Sequence, residues 1–171
     1  TAVMRSGWLD EGGKRFFLED SGRMATGWTN QDNKWYYLDG SGALATGWIN
    51  ADGARYYSGS DGVMHTGWLQ DGGHWYFMRG NGAMATGWRD MDGSWYFFNQ
   101  DGQMVTGWQS IDGIWDYFDG NGHMAAGMID VGGVKYYLDD QGRMAANTQV
   151  TVDGVNYTAD GSGALSLVEQ P

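Results

Sequence analysis

The 171-residue sequence has no cysteine, a single proline, and only ten Lys and Arg against twenty-one Asp and Glu. Each scarcity excludes something. Without cysteine no disulfide framework or thiolate chemistry is available, a condition met both in the cytosol and on bacterial surfaces. With ten scattered basic residues and a net charge of -11, the chain lacks the clustered cations that neutralise nucleic-acid phosphates, so DNA and RNA are not expected partners. There is no apolar run long enough for a membrane-spanning helix and no basic-then-apolar leader, so neither membrane insertion nor a signal peptide is expected. What is abundant is glycine, at 30 residues, together with aromatics at 15%. That combination is too Gly-rich for a packed α/β enzyme and too aromatic for a disordered linker, and it points to a repetitive fold.

The repeat is visible in "TGWTNQDNKWYYLDGSGALATGW", from Thr26 to Trp48, which begins and ends on the same three residues. At a twenty-residue offset Gly-Trp recurs at Trp8, Trp28, Trp48, Trp68, Trp88 and Trp108, with Met128 in the next copy. Seven residues after each comes an aromatic-rich triplet, beginning at Arg15, Trp35, Arg55, Trp75, Trp95, Trp115 and Lys135. Gly-x-Met is the third landmark, ending at Met24, Met64, Met84, Met104, Met124 and Met144, with Leu44 the one substitute. Met4 and Ser6 match Met24 and Thr26, so the chain is expected to begin in mid-repeat, as a piece of a longer protein.

Between Gly-Trp and the triplet, six copies carry a two-residue Asp-Gly or Gly-Gly turn, as at Asp52-Gly53 and Gly72-Gly73, which favours a primed β-hairpin turn. The predicted unit is a β-hairpin, too small to be stable alone, so the copies must stack. The fold class expected is all-β, a solenoid of stacked hairpins of about twenty residues each. Residues 1–147 read as tandem repeats and 148–171 as a divergent polar capping hairpin and tail, where Gly-Trp becomes Asn147-Thr148 and the triplet becomes Val155-Asn156-Tyr157.

Strand alternation places Trp28, Trp35 and Tyr37 on one face of a hairpin and Tyr36 and Leu38 on the other. The Trp35 position is Trp in four copies but Arg15, Arg55 and Lys135 in three, a mixture that a core site would not accept, so this position is expected to be partly exposed. Two exposed Trp on one face, with an aromatic from the following copy, make an electron-rich pocket suited to a quaternary ammonium at about 0.5–2 kcal/mol per ring.

These residues carry a resemblance. The pattern TGWxxxxxxWYYLDGSGxxxTGW resembles the choline-binding repeats of Gram-positive surface proteins, from Trp8 to about Met144. The resemblance implies a left-handed superhelix of hairpins, with choline or phosphocholine of wall teichoic and lipoteichoic acids held between successive hairpins in a cage of two Trp, a Tyr and often a Met. Carried over residue by residue, it implies choline-binding pairs Trp28 with Trp35, Trp68 with Trp75, Trp88 with Trp95, and Trp108 with Trp115. Their third walls would be Tyr57, Phe97, Tyr117 and Tyr137 respectively. Copies with Arg15, Arg55 or Lys135 would be spacers, since a fixed cation repels another. Asp116, where a Tyr is usual, falls on the face opposite the cage and bears on packing more than on binding. The implied role is a non-catalytic module, without cofactor, anchoring a larger secreted protein to the cell wall and cell surface.

The chain is also similar to the Gly-Trp and Tyr-Tyr units of glucan-binding and toxin tails, which makes carbohydrate the alternative ligand; a structural spacer is the third class. Catalysis is not expected, because the notable features recur, whereas an active site is built once. His65, His74 and His123 fall at different phases of the repeat and form no metal ladder. Asp39-Gly-Ser-Gly and Asp119-Gly-Asn-Gly read as turns, not calcium loops.

Overall fold

The computed structural model describes residues 4–169; the outermost residues of the expected repeat and cap segments, 1–3 and 170–171, lie outside this range. The chain divides between Ala85 and Thr86 into two compact units. The first holds four hairpins: β1 (Gly7–Glu11) with β2 (Lys14–Leu18), β3 (Gly27–Gln31) with β4 (Lys34–Leu38), β5 (Gly47–Ala51) with β6 (Ala54–Ser58), and β7 (Gly67–Asp71) with β8 (His74–Met78). The second holds β9 (Gly87–Met91) with β10 (Ser94–Phe98), β11 (Gly107–Ile111) with β12 (Ile114–Phe118), and β13 (Gly127–Val131) with β14 (Val134–Leu138). It ends in a three-stranded sheet of β15 (Thr148–Val152), β16 (Val155–Ala159) and β17 (Leu165–Leu167). Among the described residues there is no helix, so the all-β hairpin stack is as expected.

The turns explain the regularity. Asp52 and Gly53, at φ 51° and 75°, both adopt the left-handed region that a primed turn requires. In β3–β4 the same turn is made by Asp32 and Asn33, at 52° and 61°, the residue types other than glycine that best tolerate it. The resulting register sets Trp28 opposite Tyr37 and Asn30 opposite Trp35, and it repeats from hairpin to hairpin.

Leu38 and Met78 in the first unit, and Phe98, Phe118 and Leu138 in the second, are completely buried; each is the last residue of the strand that carries the triplet. Ser58 holds the same position in its hairpin, also fully buried, and its hydroxyl has no hydrogen-bond partner. After each hairpin the chain folds back in a polar loop, bridging Leu38 to Leu44 and Leu138 to Met144 in the same way. Within these loops Asp39 Oδ1 accepts from the backbone N–H of Ser41 and Ala43 at 2.8 and 3.1 Å, and Asp119 Oδ1 from Asn121 and His123 at 2.8 and 2.9 Å. The carboxylates thus hold the turn itself.

The stacking contact reaches from the end of one copy back to the strand of the copy before it. The backbone N–H of Met64 donates to the Trp35 carbonyl at 2.8 Å, and Met124 and Met144 donate likewise to Trp95 and Trp115 at 2.8 and 2.9 Å. Each methionine is thereby fixed over the strand that carries the second Trp of an earlier hairpin. Its side chain lies against a glycine one loop further on, Met64 against Gly82 and Met124 against Gly142.

Candidate functional site

Trp35, Trp75, Trp95 and Trp115 are 41–47% exposed, which places them outside the core, as the mixture of Trp, Arg and Lys at that position predicts. Trp28 and Trp35 line a cavity of about 340 Å³ together with Tyr56 and Met64. Trp108 and Trp115 line one of the same size with Tyr136 and Met144. A cavity of this volume is at the small end for ligand pockets, so it suits a head group better than a folded polymer segment. Tyr56 meets Trp28 edge to face with ring centroids 4.8 Å apart, and Tyr136 meets Trp108 identically at 4.8 Å.

The third wall therefore differs by one residue from the sequence-based expectation. Tyr57 packs on Trp48 at 5.2 Å, Phe97 on Trp88 at 5.2 Å and Tyr117 on Trp108 at 5.0 Å, each within its own hairpin, and Tyr137 stands opposite Met128. The reason is geometric. The face bearing Trp28 and Trp35 meets the opposite face of the next hairpin, as the Trp28–Tyr56 contact shows. That opposite face carries the middle residue of the triplet, Tyr56, and strand alternation turns Tyr57 away. The methionines complete the box and were visible in the sequence as the Gly-x-Met landmark; their part in a given pocket is hidden because they arrive from 29 residues further along.

The other two pairs are also assembled. Trp68 and Trp75 stand edge to face at 6.1 Å, and Trp88 and Trp95 at 6.3 Å. Trp88 and Trp95 line a third cavity, of about 400 Å³, with Met124, Asp140 and Gln141. Here the middle residue of the next triplet is Asp116, which the face argument moves from a packing position to the place of Tyr56 and Tyr136. With no ring there, the cavity is larger and Trp88 tilts against Phe118 at 5.6 Å.

Asp116 is only 3% exposed. Burial, with a smaller contribution from the Asp139 charge, raises its pKa from the ordinary 3.8 to about 6, and among the described residues no hydrogen-bond donor offsets this. An acid whose pKa is raised by folding binds its proton more tightly folded than unfolded. Asp116 therefore costs nothing below about pH 4 and withdraws stability as pH rises towards 6, on the order of 2–3 kcal/mol in total. Asp116→Asn is expected to remove this loss: urea midpoints of wild type and variant should diverge between pH 4 and 7, the variant gaining. Parallel curves would contradict the burial of an ionisable group at this position.

In the copies that carry Arg15 and Arg55 the electron-rich ring is already occupied. The Arg15 guanidinium lies over Trp8 at 4.8 Å and that of Arg55 over Trp48 at 4.4 Å. An internal cation takes the ring face that borders a cavity elsewhere. Lys135 faces no Trp in its own hairpin, since Met128 stands at that position.

Comparison with known proteins agrees with this architecture. The sequence matches the choline-binding repeat over residues 6–46, 45–86 and 85–127, and the cell wall binding repeat over 129–144. Choline binding protein F from Streptococcus pneumoniae is 38% identical with a TM-score of 0.85, over 95% of this chain and 57% of that one. CbpJ from the same organism is 37% identical with a TM-score of 0.87, over 95% of this chain and 58% of that one. The modular autolysin LytC from Streptococcus pneumoniae is 28% identical with a TM-score of 0.65, over 94% and 42%. The chain thus spans less than three-fifths of the length of these proteins. No match was found among curated protein sequences. The recurring hairpins, the half-exposed tryptophan pairs and the matched repeats together make this chain a member of the choline-binding repeat family.

Proposed function

We propose that this module binds choline of teichoic and lipoteichoic acids and so holds a larger secreted protein at the Gram-positive cell wall. The observation that carries this reading is the box of Trp28, Trp35, Tyr56 and Met64, repeated as Trp108, Trp115, Tyr136 and Met144. Three aromatic rings line a cavity with no fixed cation in its lining, an arrangement that attracts a trimethylammonium through ring quadrupoles and excludes water from its methyl groups. The acid excess of the chain adds a favourable long-range field for a cation and an unfavourable one for the polymer's phosphates. The head group is accordingly what is read, and the module works by binding without chemistry of its own. The pair Trp68 and Trp75 belongs to the same proposed set.

A box of three rings gains a few kcal/mol before the entropy of association is subtracted, which corresponds to roughly millimolar affinity per site. Choline at ten times such a Kd stabilises by about 1.4 kcal/mol per occupied site. Titration with choline should change tryptophan emission and raise the melting temperature by several degrees, whereas dextran should do neither. The reverse pattern would hand the module to carbohydrate.

A further inference from the structure

The Trp88/Trp95 cavity lacks a wall that its two counterparts have. A third ring borders each of those, Tyr56 beside Trp28 and Trp35, and Tyr136 beside Trp108 and Trp115. Trp88 and Trp95 are joined instead by Met124, Asp140 and Gln141, with no further ring in the lining. The residue at the tyrosine position of the following triplet is Asp116, whose short side chain is buried and does not border the cavity, so nothing from that position fills the place of a phenol. Phe118 does not substitute for it: it is completely buried, and Trp88 tilts against it at 5.6 Å without bringing it into the lining. The space left is about 400 Å³, against about 340 Å³ in each of the three-ring boxes.

We propose that the Trp88/Trp95 cavity is a site for quaternary ammonium groups bulkier than trimethylammonium, with ethyl or longer substituents on nitrogen, and that the middle residue of the following triplet sets the size each pocket accepts. This rests on the reading that the pockets of this module take quaternary ammonium groups, and it changes which of them one pocket prefers. A trimethylammonium between Trp88 and Trp95 meets two rings instead of three and leaves the rest of the cavity to water or to no contact at all, so it forfeits both the third cation–π attraction and the dispersion contacts of a filled site. Added methylenes occupy that room and are buried against Trp88, Trp95 and the Met124 side chain, whose flexible thioether adapts to an irregular surface. In the Trp28 and Trp108 boxes the same methylenes collide with Tyr56 or Tyr136, and overfilling a packed site is unfavourable. Charge does not set the preference. Two quaternary ammonium ions of different bulk carry the same single charge and no N–H, so the carboxylates of Asp116 and Asp140 attract both.

The test follows the ten indole N–H signals of the ¹⁵N-labelled intact chain by NMR at pH 7.5, titrated separately with choline and with its analogue bearing three N-ethyl groups in place of the three N-methyls. The indoles of Trp88 and Trp95 should respond to the triethyl analogue at about three- to tenfold lower concentration than to choline, the factor expected when one or two methylenes are buried. Those of Trp28, Trp35, Trp108 and Trp115 should show the opposite order, by about fivefold or more. Asp116→Tyr should supply the missing wall and convert Trp88 and Trp95 to the choline order, whereas Asp116→Asn, which removes the charge and adds no ring, should leave their order unchanged. The reciprocal variant Tyr56→Ala should open the wall of the Trp28/Trp35 box and give it the triethyl order; unchanged signals at the other pockets report that each variant is folded. The same order of ligands at all three pockets, no response at Trp88 and Trp95 to either ligand, or an order that Asp116→Asn reverses would overturn the proposal. Failure of both ligands at Trp28, Trp35, Trp108 and Trp115 would instead sink the reading of these boxes as ammonium sites, and the order at Trp88 and Trp95 is then judged by itself.

Discussion

Trp115→Ala is expected to reduce retention on an immobilised-choline matrix tenfold or more, while Arg55→Ala leaves it within about twofold. Trp115 is one of three aromatic walls around the cavity it shares with Trp108 and Tyr136. Removing it withdraws about 1–2 kcal/mol of cation–π attraction and opens the box to water, a loss of roughly 5- to 30-fold at that site. On a polymer bearing many cholines the sites act jointly, so the loss multiplies through the avidity of the whole module. Arg55 occupies the equivalent position in its hairpin, but its guanidinium already covers Trp48 at 4.4 Å. Truncating it forfeits an internal contact and uncovers the Trp48 ring, but that hairpin carries no second tryptophan to close a box. Elution by a choline gradient would measure both. Similar losses from the two substitutions would mean that the position serves packing alone.

Gly82→Val is expected to lower the melting temperature by about 5–15 °C and to abolish the choline response of Trp28 and Trp35 together. Gly82 has φ +84°, where a β-branched residue is strained by roughly 1–2 kcal/mol. A Cβ there would overlap the Met64 side chain, with Cε at 2.8 Å and Cγ at 3.0 Å, and overpacking of this kind adds about 1–3 kcal/mol. For a chain of this length each kcal/mol corresponds to about 2–4 °C. Because Met64 lines the cavity with Trp28 and Trp35, displacing it deforms the site as well as the stack. The double variant Gly82→Val with Met64→Ala should recover part of the stability, since the collision is removed and the backbone strain is not. A calorimetric midpoint unchanged by Gly82→Val would show that the loop yields without cost.

Much of this was legible in the sequence because the repeat turns every local rule into a periodic one. Asp-Gly and Gly-Gly at fixed spacing imposed the hairpin, and Arg15 and Arg55 among the tryptophans revealed that the position is not core. The third wall was misread through parity. Trp28 and Tyr37 do share a face, as the register shows, but a pocket between displaced copies takes its far side from the other face, hence Tyr56. Asp116 was underrated for the same reason: assigned to the face away from the cage, it looked like a defect in packing. The methionines and the division between Ala85 and Thr86 depend on contacts beyond the single copy, which a period by itself does not reveal.

The hydrogen bond from Met64 to the Trp35 carbonyl closes a box from two copies, and Gly80 and Asn81 of a third copy complete the lining of its cavity. What a hairpin binds is consequently decided by its successors. The same Trp88/Trp95 hairpin, followed by a copy with tyrosine at the middle of its triplet, would be an ordinary cage. A lineage that duplicates, deletes or reorders twenty-residue cassettes therefore rewrites ligand preference at the junctions without altering a single codon inside the cassette moved. To transplant one intact site into another scaffold, the segment to graft is three copies long.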